Sequence, residues 1–305
     1  MLDVDQIAII GTGLLGASLG LALRAGGYRG RMVGVGRRPA TLNAAVAAGA
    51  IDRGVTDLGA VARDTRLAVV AVPLGGFAAV FDDLARHDHP DLYVTDLGST
   101  KASVVATAQQ RLPDPSRFCG AHPMAGGEGR GPQAADARLF AGKPCVLTPG
   151  PDTSARAVAL AEALWGDTLG MRLQRMDPAA HDRAVAGVSH LPHLLAVLLM
   201  NVADERGGLD LASTGLRDTG RLAASNPPMR RDIVTQNRAA VLESLDAFDR
   251  HLKALRSVLQ RADDDTLLAT LEHARGVRAN WLAGVPALTR PSPNPDRGVR
   301  KENQT

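Results

Sequence analysis

Cysteine is nearly absent from this 305-residue chain, which has only Cys119 and Cys145. Two thiols build neither a disulfide framework nor a four-thiolate zinc cluster, so a hydrophobic core must hold the fold. Aromatic residues are scarce at 3%. The net charge of +3 and the pI of 9.2 come from scattered arginines with no basic block. With so few rings to stack on bases, nucleic acid is not an expected partner. Long apolar runs are also missing. Residues 184 to 203 lack Asp, Glu, Lys and Arg, yet they include Gly187, Ser189, His190, Pro192, His193 and Asn201. Their strictly apolar part, Leu194 to Met200, is far shorter than the roughly 20 residues that cross a bilayer. A buried helix is expected there, and no membrane segment. The start, MLDVDQ, lacks the basic residues of a signal peptide. Cytoplasmic localisation is the resulting expectation.

A hydrophobic content of 45% over this length is enough for two ordinary cores. QIAIIGTGLLGASLGLALRAGG opens with a short β-branched run and passes through glycines into apolar residues at helical spacing, which predicts strand, tight turn and helix. GRMVGVGRR, RLAVVAVP, DLYVTDLGS and KPCVLTPG read as further strands. Helical stretches such as ATLNAAVAAGA lie between them. The alternation predicts an α/β domain, a Rossmann-type doubly wound parallel sheet covered by helices on both faces, over residues 1–174. From Pro178 to about Ala283 the pattern is helical throughout, so residues 175–285 are expected to form an all-helical domain. Its first long helix, carrying HLLAVLLMNVA, is apolar on nearly every side. One flank is therefore expected to pack on a second copy, giving a homodimer through the helical domain. Residues 286–305, rich in proline and polar groups, are expected to form a mobile tail.

Gly11, Gly13 and Gly16 form G-x-G-x-x-G between the first strand and its helix. The first glycine permits the turn, the second lets a pyrophosphate reach the backbone, and the third lets helix and strand pack closely. The free amides of the helix start then face the phosphates. Leu14 and Leu15 lie within that turn, and Val72 and Pro73 close a neighbouring strand; all four join the glycines as expected cofactor contacts. An NAD-preferring version carries an acidic residue about 20 positions further on. Here that place is Gly36, followed by Arg37 and Arg38. Nothing there repels a 2′-phosphate and two guanidiniums can pair with it, so NADP is the expected cofactor, with NAD as the other possibility.

Further clusters follow in order: DLGSTK at 96–101, GAHPMAGGEG at 120–129, AAHDRAVAGVSHLPHLLA at 179–196 and GLRDTGRLAASNPPMRRDI at 215–233. Together with the glycine turn they resemble the prephenate and arogenate dehydrogenases of tyrosine biosynthesis, from about residue 6 to about 280. The resemblance implies an oxidoreductase that oxidatively decarboxylates prephenate or L-arogenate, a small-molecule substrate, to 4-hydroxyphenylpyruvate or L-tyrosine. It implies His122 as the base that accepts the ring-hydroxyl proton, with Ser99 orienting the pair. It implies His193 facing the substrate side chain, His181 as a second polar wall, and Arg221 on the ring carboxylate. Gly215 and Arg217 belong to the same element, and either Arg217 or Arg221, four residues apart, can be the carboxylate clamp. An imidazole with a pKa near the working pH suits the proton transfer. Pro123 stiffens the chain after His122, and Gly126, Gly127 and Gly129 clear space for a flat ring. No metal is required by this chemistry.

The remaining signals are weighed beside these. His190 and His193 sit three apart, which would suit a metal, but no carboxylate or cysteine set accompanies them. His190 can equally brace the helix around Pro192, and Lys101 is expected to cap a helix start. Where several relatives carry tryptophan in M-W-R-D-I, this chain has Arg230, an extra cation near the expected substrate side chain. A rival reading is a β-hydroxyacid dehydrogenase of the 6-phosphogluconate or hydroxyisobutyrate kind. Its base would be a lysine, and between 175 and 285 only Lys253 is available. A non-catalytic nicotinamide-sensing module is the third reading, one with no reason to assemble Ser99, His122, His193 and Arg221.

Overall fold

The computed structural model describes residues 2–60, 62–127 and 129–284. The expected tail at 286–305 lies outside them. The first half alternates strand and helix: β1 (Gln6–Ile10), α1 (Leu14–Ala25), β2 (Arg31–Val35), α2 (Pro39–Ala47), β3 (Arg53–Val55) and β4 (Leu67–Val70). Then come α3 (Phe77–Arg86), β5 (Tyr93–Asp96), α4 (Ala102–Arg111) and β6 (Phe118–Pro123). Next are β7 (Pro144–Thr148), α5 (Ala155–Glu162) and β8 (Arg172–Arg175). Helices α6 (Pro178–Val185), α7 (Leu191–Arg206), α8 (Thr214–Gly220), α9 (Pro227–Gln236), α10 (Arg238–Gln260) and α11 (Asp264–Gly284) follow.

The strands form one sheet in the order β3-β2-β1-β4-β5-β6-β7-β8. β1 to β6 are parallel. The expected parallel sheet needs one correction: β7 runs antiparallel to β6, and β8 is parallel to β7. The physical reason is the connection. Between β6 and β7 the described residues hold no crossover helix, only short turns such as that at Pro132–Ala134, so the chain returns in the opposite direction. α5 then supplies the crossover that brings β8 in parallel.

Alternation along the strands builds two cores. Ile7, Ile9, Leu67 and Val69 pack on one face with Leu19 and Leu23 of α1, Leu42 of α2 and Leu160 of α5. Ala8, Ile10, Ala68 and Val70 pack on the other with Phe81 of α3 and Val104 of α4. Both faces are buried, so each large aliphatic side chain removed from water contributes roughly 1.5–3 kcal/mol. The chain visits β2 and β3 on one side of β1, then crosses to β4 on the other. That reversal opens a crevice beyond the C-terminal ends of β1 and β4, the place where such sheets take ligands.

The chain divides into two compact units between Ala247 and Phe248. The composition change near residue 175 lies inside the first unit, because α6 and α9 are hydrogen-bonded to the start of α4. α6 and α7 are joined through a widened, π-type turn at Ala186–His190, a feature frequent at functional sites. The stretch Pro178–Arg206 is long and apolar enough to cross a membrane by length and composition alone. It is not a wholly buried helix. His181, Asp182, His190 and His193 are buried in the first unit, while Val188, Leu198, Leu199 and Val202 are exposed.

Candidate active site

The three glycines of the first turn divide their work as the motif predicts. Gly11 has a φ of +102°, and a Cβ there would come within 2.6 Å of the Ala71 carbonyl oxygen. A Cβ on Gly16 would lie 1.9 Å from the Gly11 oxygen, so helix and strand touch there. Around Gly13, at the start of α1, a Cβ would meet nothing within 4 Å. This open backbone at an uncapped helix start fits a dinucleotide pyrophosphate. Leu14 and Leu15 are half-buried beside it, and Val72 and Pro73 follow β4 across the crevice. Arg37 and Arg38 are exposed just past the end of β2, where no acidic side chain stands. The nearest candidate by spacing, Asp52, is engaged by Arg24 and the Met32 amide.

His122 sits on strand β6, not in a bend; the bend begins after Pro123. β6 pairs with β5 only at Phe118 and Cys119. Beyond that, side chains replace the ladder on the β5 side, while β7 pairs with Gly120 to Pro123 on the other. Asp96 accepts a hydrogen bond from the Ala121 amide (2.9 Å), and Lys101 Nζ donates to the Ala121 carbonyl (2.7 Å). Lys101 is itself buried in an ion pair with Asp96, and Asp96 also accepts from the Gly98 amide. Lys101 does begin α4, but its side chain is locked in this pair. The residue before His122 is thereby clamped at both its backbone groups.

A relay runs behind His122. Its Nδ1 lies 2.8 Å from His181 Nε2, and His181 Nδ1 lies 2.8 Å from Asp182 Oδ1. Asp182 also accepts from the backbone amides of Lys101 (2.7 Å) and Ala102 (2.9 Å) at the start of α4, a favourable place for a carboxylate. A carboxylate only accepts, so His181 carries its proton on Nδ1. With both rings neutral, His181 Nε2 accepts from His122 Nδ1–H. His122 Nε2 is left with a bare lone pair. Burial, and after it His181, hold the His122 pKa well below the usual histidine value, so the ring is a neutral base at physiological pH. His181 is thus behind the base rather than only a polar wall. No hydrogen bond joins Ser99 to His122 among the described residues; the half-buried Ser99 lies on the loop between β5 and α4. Asp182, which the sequence reading passed over, was signalled by its place beside His181.

His190 is braced by Asn237, whose Nδ2 contacts its Nδ1 at 3.1 Å and donates to the Asp182 carbonyl at 2.8 Å. Burial pushes the His190 pKa down to about 4. His193 is buried; neither ring nitrogen makes a hydrogen bond of ordinary geometry, but the Leu222 backbone lies near enough to act on the ring. Burial, with the nearby Arg230 cation, lowers its pKa as well. Arg217 and Arg221 line one cleft of about 460 Å³ with Met200, Ser213 and Gly220, and Gly215 is on the same helix, α8. The structure brings both arginines to that cleft, and Arg217 leans on Asp218. Lys253, the base of the rival reading, pairs with Asp249 on its own helix.

The loop after β6 returns toward the glycine turn: a Cβ on Gly127 would stand 3.5 Å from Leu14. An open pyrophosphate turn at the switch point, reached by the loop that follows the histidine-bearing strand β6, fits a nicotinamide-dependent oxidoreductase. Residues 19–173 match the family model for the nucleotide-binding domain of prephenate dehydrogenase, and residues 177–273 match its dimerization domain. The chain belongs to the prephenate dehydrogenase family. It is 31% identical over 281 residues to the prephenate dehydrogenase of Bacillus subtilis, covering 90% of this chain and 75% of that protein. To the cyclohexadienyl dehydrogenase of Zymomonas mobilis it is 33% identical over 279 residues, 90% and 94% of the two chains. Among solved structures, prephenate dehydrogenase from Aquifex aeolicus in complex with hydroxyphenyl propionate and NAD+ superposes with a TM-score of 0.87 at 29% identity, covering 92% and 99%. Arogenate dehydrogenase from Synechocystis gives 0.79 at 31% identity, covering 90% and 99%.

Proposed function

We propose that this protein catalyses the nicotinamide-dependent oxidative decarboxylation of prephenate, L-arogenate or both, yielding 4-hydroxyphenylpyruvate or L-tyrosine. The observation that carries the reading is the Asp182–His181–His122 relay, which leaves one basic nitrogen at the end of β6. When bound, the nicotinamide supplies the acceptor for the hydride of the ring carbinol. His122 Nε2 takes the carbinol proton as the oxygen becomes a carbonyl, and aromatisation then expels the ring carboxylate as carbon dioxide. Because His122 Nδ1 is engaged by His181, Ser99 works on the other side, orienting the substrate hydroxyl toward Nε2. Arg221 holds the ring carboxylate, with Arg217 on the same cleft and Gly215 on the same helix as Arg217, and His193 faces the side chain.

Gly11, Gly13 and Gly16 with Leu14, Leu15, Val72 and Pro73 hold the cofactor. Exposed Arg37 and Arg38, with no carboxylate at the end of β2, support a preference for NADP. The exposed apolar side chains Leu198, Leu199 and Val202 of α7, and Leu268, Leu271 and Trp281 of α11, support a homodimer formed through the helical domain, 175–285. The test is direct. Purified protein is mixed with NADP or NAD and with prephenate or arogenate, and absorbance of the reduced nicotinamide is followed. Turnover with at least one substrate is expected; silence in all four mixtures contradicts the proposal.

A further inference from the structure

Lysine is seldom fully buried, and Lys101 is among the largest side chains that the interior encloses completely. Its ion-pair partner, the equally buried Asp96, ends β5 five residues earlier. The pair therefore closes the loop from Leu97 to Thr100 on which Ser99 sits. It also lies at a seam in the sheet. β5 meets β6 at only two register positions, Phe118 and Cys119, after which β6 is paired with β7 alone. Backbone pairing thus stitches β6 and β7 only loosely to the parallel body. Two further bonds close the seam: the Ala121 amide donates to Asp96 at 2.9 Å, and Lys101 Nζ donates to the Ala121 carbonyl at 2.7 Å. Lys101 acts through its backbone as well. Its amide donates to Asp182 Oδ1 at 2.7 Å, the same oxygen that His181 Nδ1 meets at 2.8 Å. One residue touches both ends of the relay, the neighbour of His122 through its ammonium and Asp182 through its amide.

We infer that Lys101 is a positioning residue for the proton transfer: it fixes β6, which carries His122, against Asp182 on α6, and so keeps His181 within hydrogen-bond reach of both. The inference deepens the dehydrogenase reading above and rests on it for the role of His122. Lys101 is 0% exposed, so it acts through these bonds and not by touching substrate or cofactor. A methionine would fill the same volume but has no hydrogen to give the Ala121 carbonyl. With that bond gone, β6 and the His122 ring shift against His181. A displacement of about 1 Å can cost about 10²-fold in rate.

Full-length wild type, Lys101→Met and the double variant Asp96→Asn/Lys101→Met test this. The double variant removes the buried pair as a unit, a change that is often neutral for folding, and it keeps an acceptor for the Ala121 amide. Circular dichroism and cofactor titration of the double variant should match wild type. With the substrate that wild type turns over, kcat should fall on the order of 10- to 100-fold while KM is unchanged. In protein labelled with ¹⁵N at histidine, the wild-type His122 ring should carry its hydrogen on Nδ1 alone, and the variant rings should populate the Nε2–H form as well. A folded variant with wild-type kcat, or with wild-type His122 ring shifts, overturns the inference alone. A wild type silent with both substrates and both cofactors overturns the dehydrogenase reading, and the ring shifts then still decide whether Lys101 sets the geometry of the relay.

Discussion

Two buried polar regions of one compact unit have opposite character. Around β6, Asp96, Lys101, His181 and Asp182 make hydrogen bonds to backbone or to one another. Around α7 and α9, the ring nitrogens of buried His193 and the Nε of half-buried Arg230 lack a hydrogen-bond partner of ordinary geometry. The first region is complete without substrate, and its completeness fixes the tautomer and position of His122 before anything binds. The second leaves buried polar atoms unpaired. Satisfied networks rigidify, whereas unsatisfied ones wait for a ligand. Machinery and subsite can thus be told apart by bookkeeping of hydrogen bonds.

The strongest way to break that distinction is at its centre. His122→Asn should lower turnover by about 10²- to 10⁴-fold, the usual worth of a general base, while leaving cofactor titration unchanged; near-normal turnover would place the base elsewhere. Stability tests the contrast next. Lys101→Met leaves Asp96 buried without its cation and should cost about 3–5 kcal/mol in urea unfolding. Arg230→Met, which removes a half-buried cation with an unpartnered Nε, should cost little or stabilise. Equal losses in the two variants would erase the contrast. A smaller effect is expected at the exposed edge of the cofactor turn, where Arg37→Ala should reduce the preference for NADP over NAD by about 1.5–3 kcal/mol, measured as the ratio of kcat/KM values. Persistence of the preference in the Arg37, Arg38 double variant would place specificity at other residues.

Another effect is spread over pH. His122, His190 and His193 are all held below the ordinary histidine value by burial. The unfolded chain therefore binds protons near pH 6.5 that the folded chain refuses, and stability present above that pH is lost as pH falls. The loss for His190 continues to about pH 4. Each histidine contributes up to about 1.4 kcal/mol per pH unit within its window. Urea midpoints measured between pH 7 and pH 5 should fall accordingly, and a flat profile would contradict the burial of these rings.

How much of this was legible in the sequence depended on how local the cause was. The glycine turn was readable because Gly11 and Gly16 answer to backbone geometry a few residues away. Strand β6 was not, since FCGAHP contains glycine and no β-branched residue, and its end is held by β7 on one side and by Asp96 and Lys101 on the other. The antiparallel β7 depended on a connection without a helix, which no residue pattern in KPCVLTPG announces. His122, Ser99, His193 and Arg221 stood in recognisable motifs. The relay did not, because Asp182 acts on Lys101 and Ala102 some 80 positions away. Arg230 was visible as a departure from the family pattern, whereas its half-burial and unpartnered Nε depend on how α9 packs and were not.

Everything in the mechanism depends on which nitrogen of His122 carries hydrogen. In protein labelled with ¹⁵N at histidine and saturated with cofactor at pH 7, the ring shifts of His122, assigned by comparison with His122→Asn, report this directly. A neutral ring protonated on Nδ1 and bare on Nε2 is the predicted result. A ring protonated on Nε2, or on both nitrogens, would contradict the relay and remove the base from the mechanism.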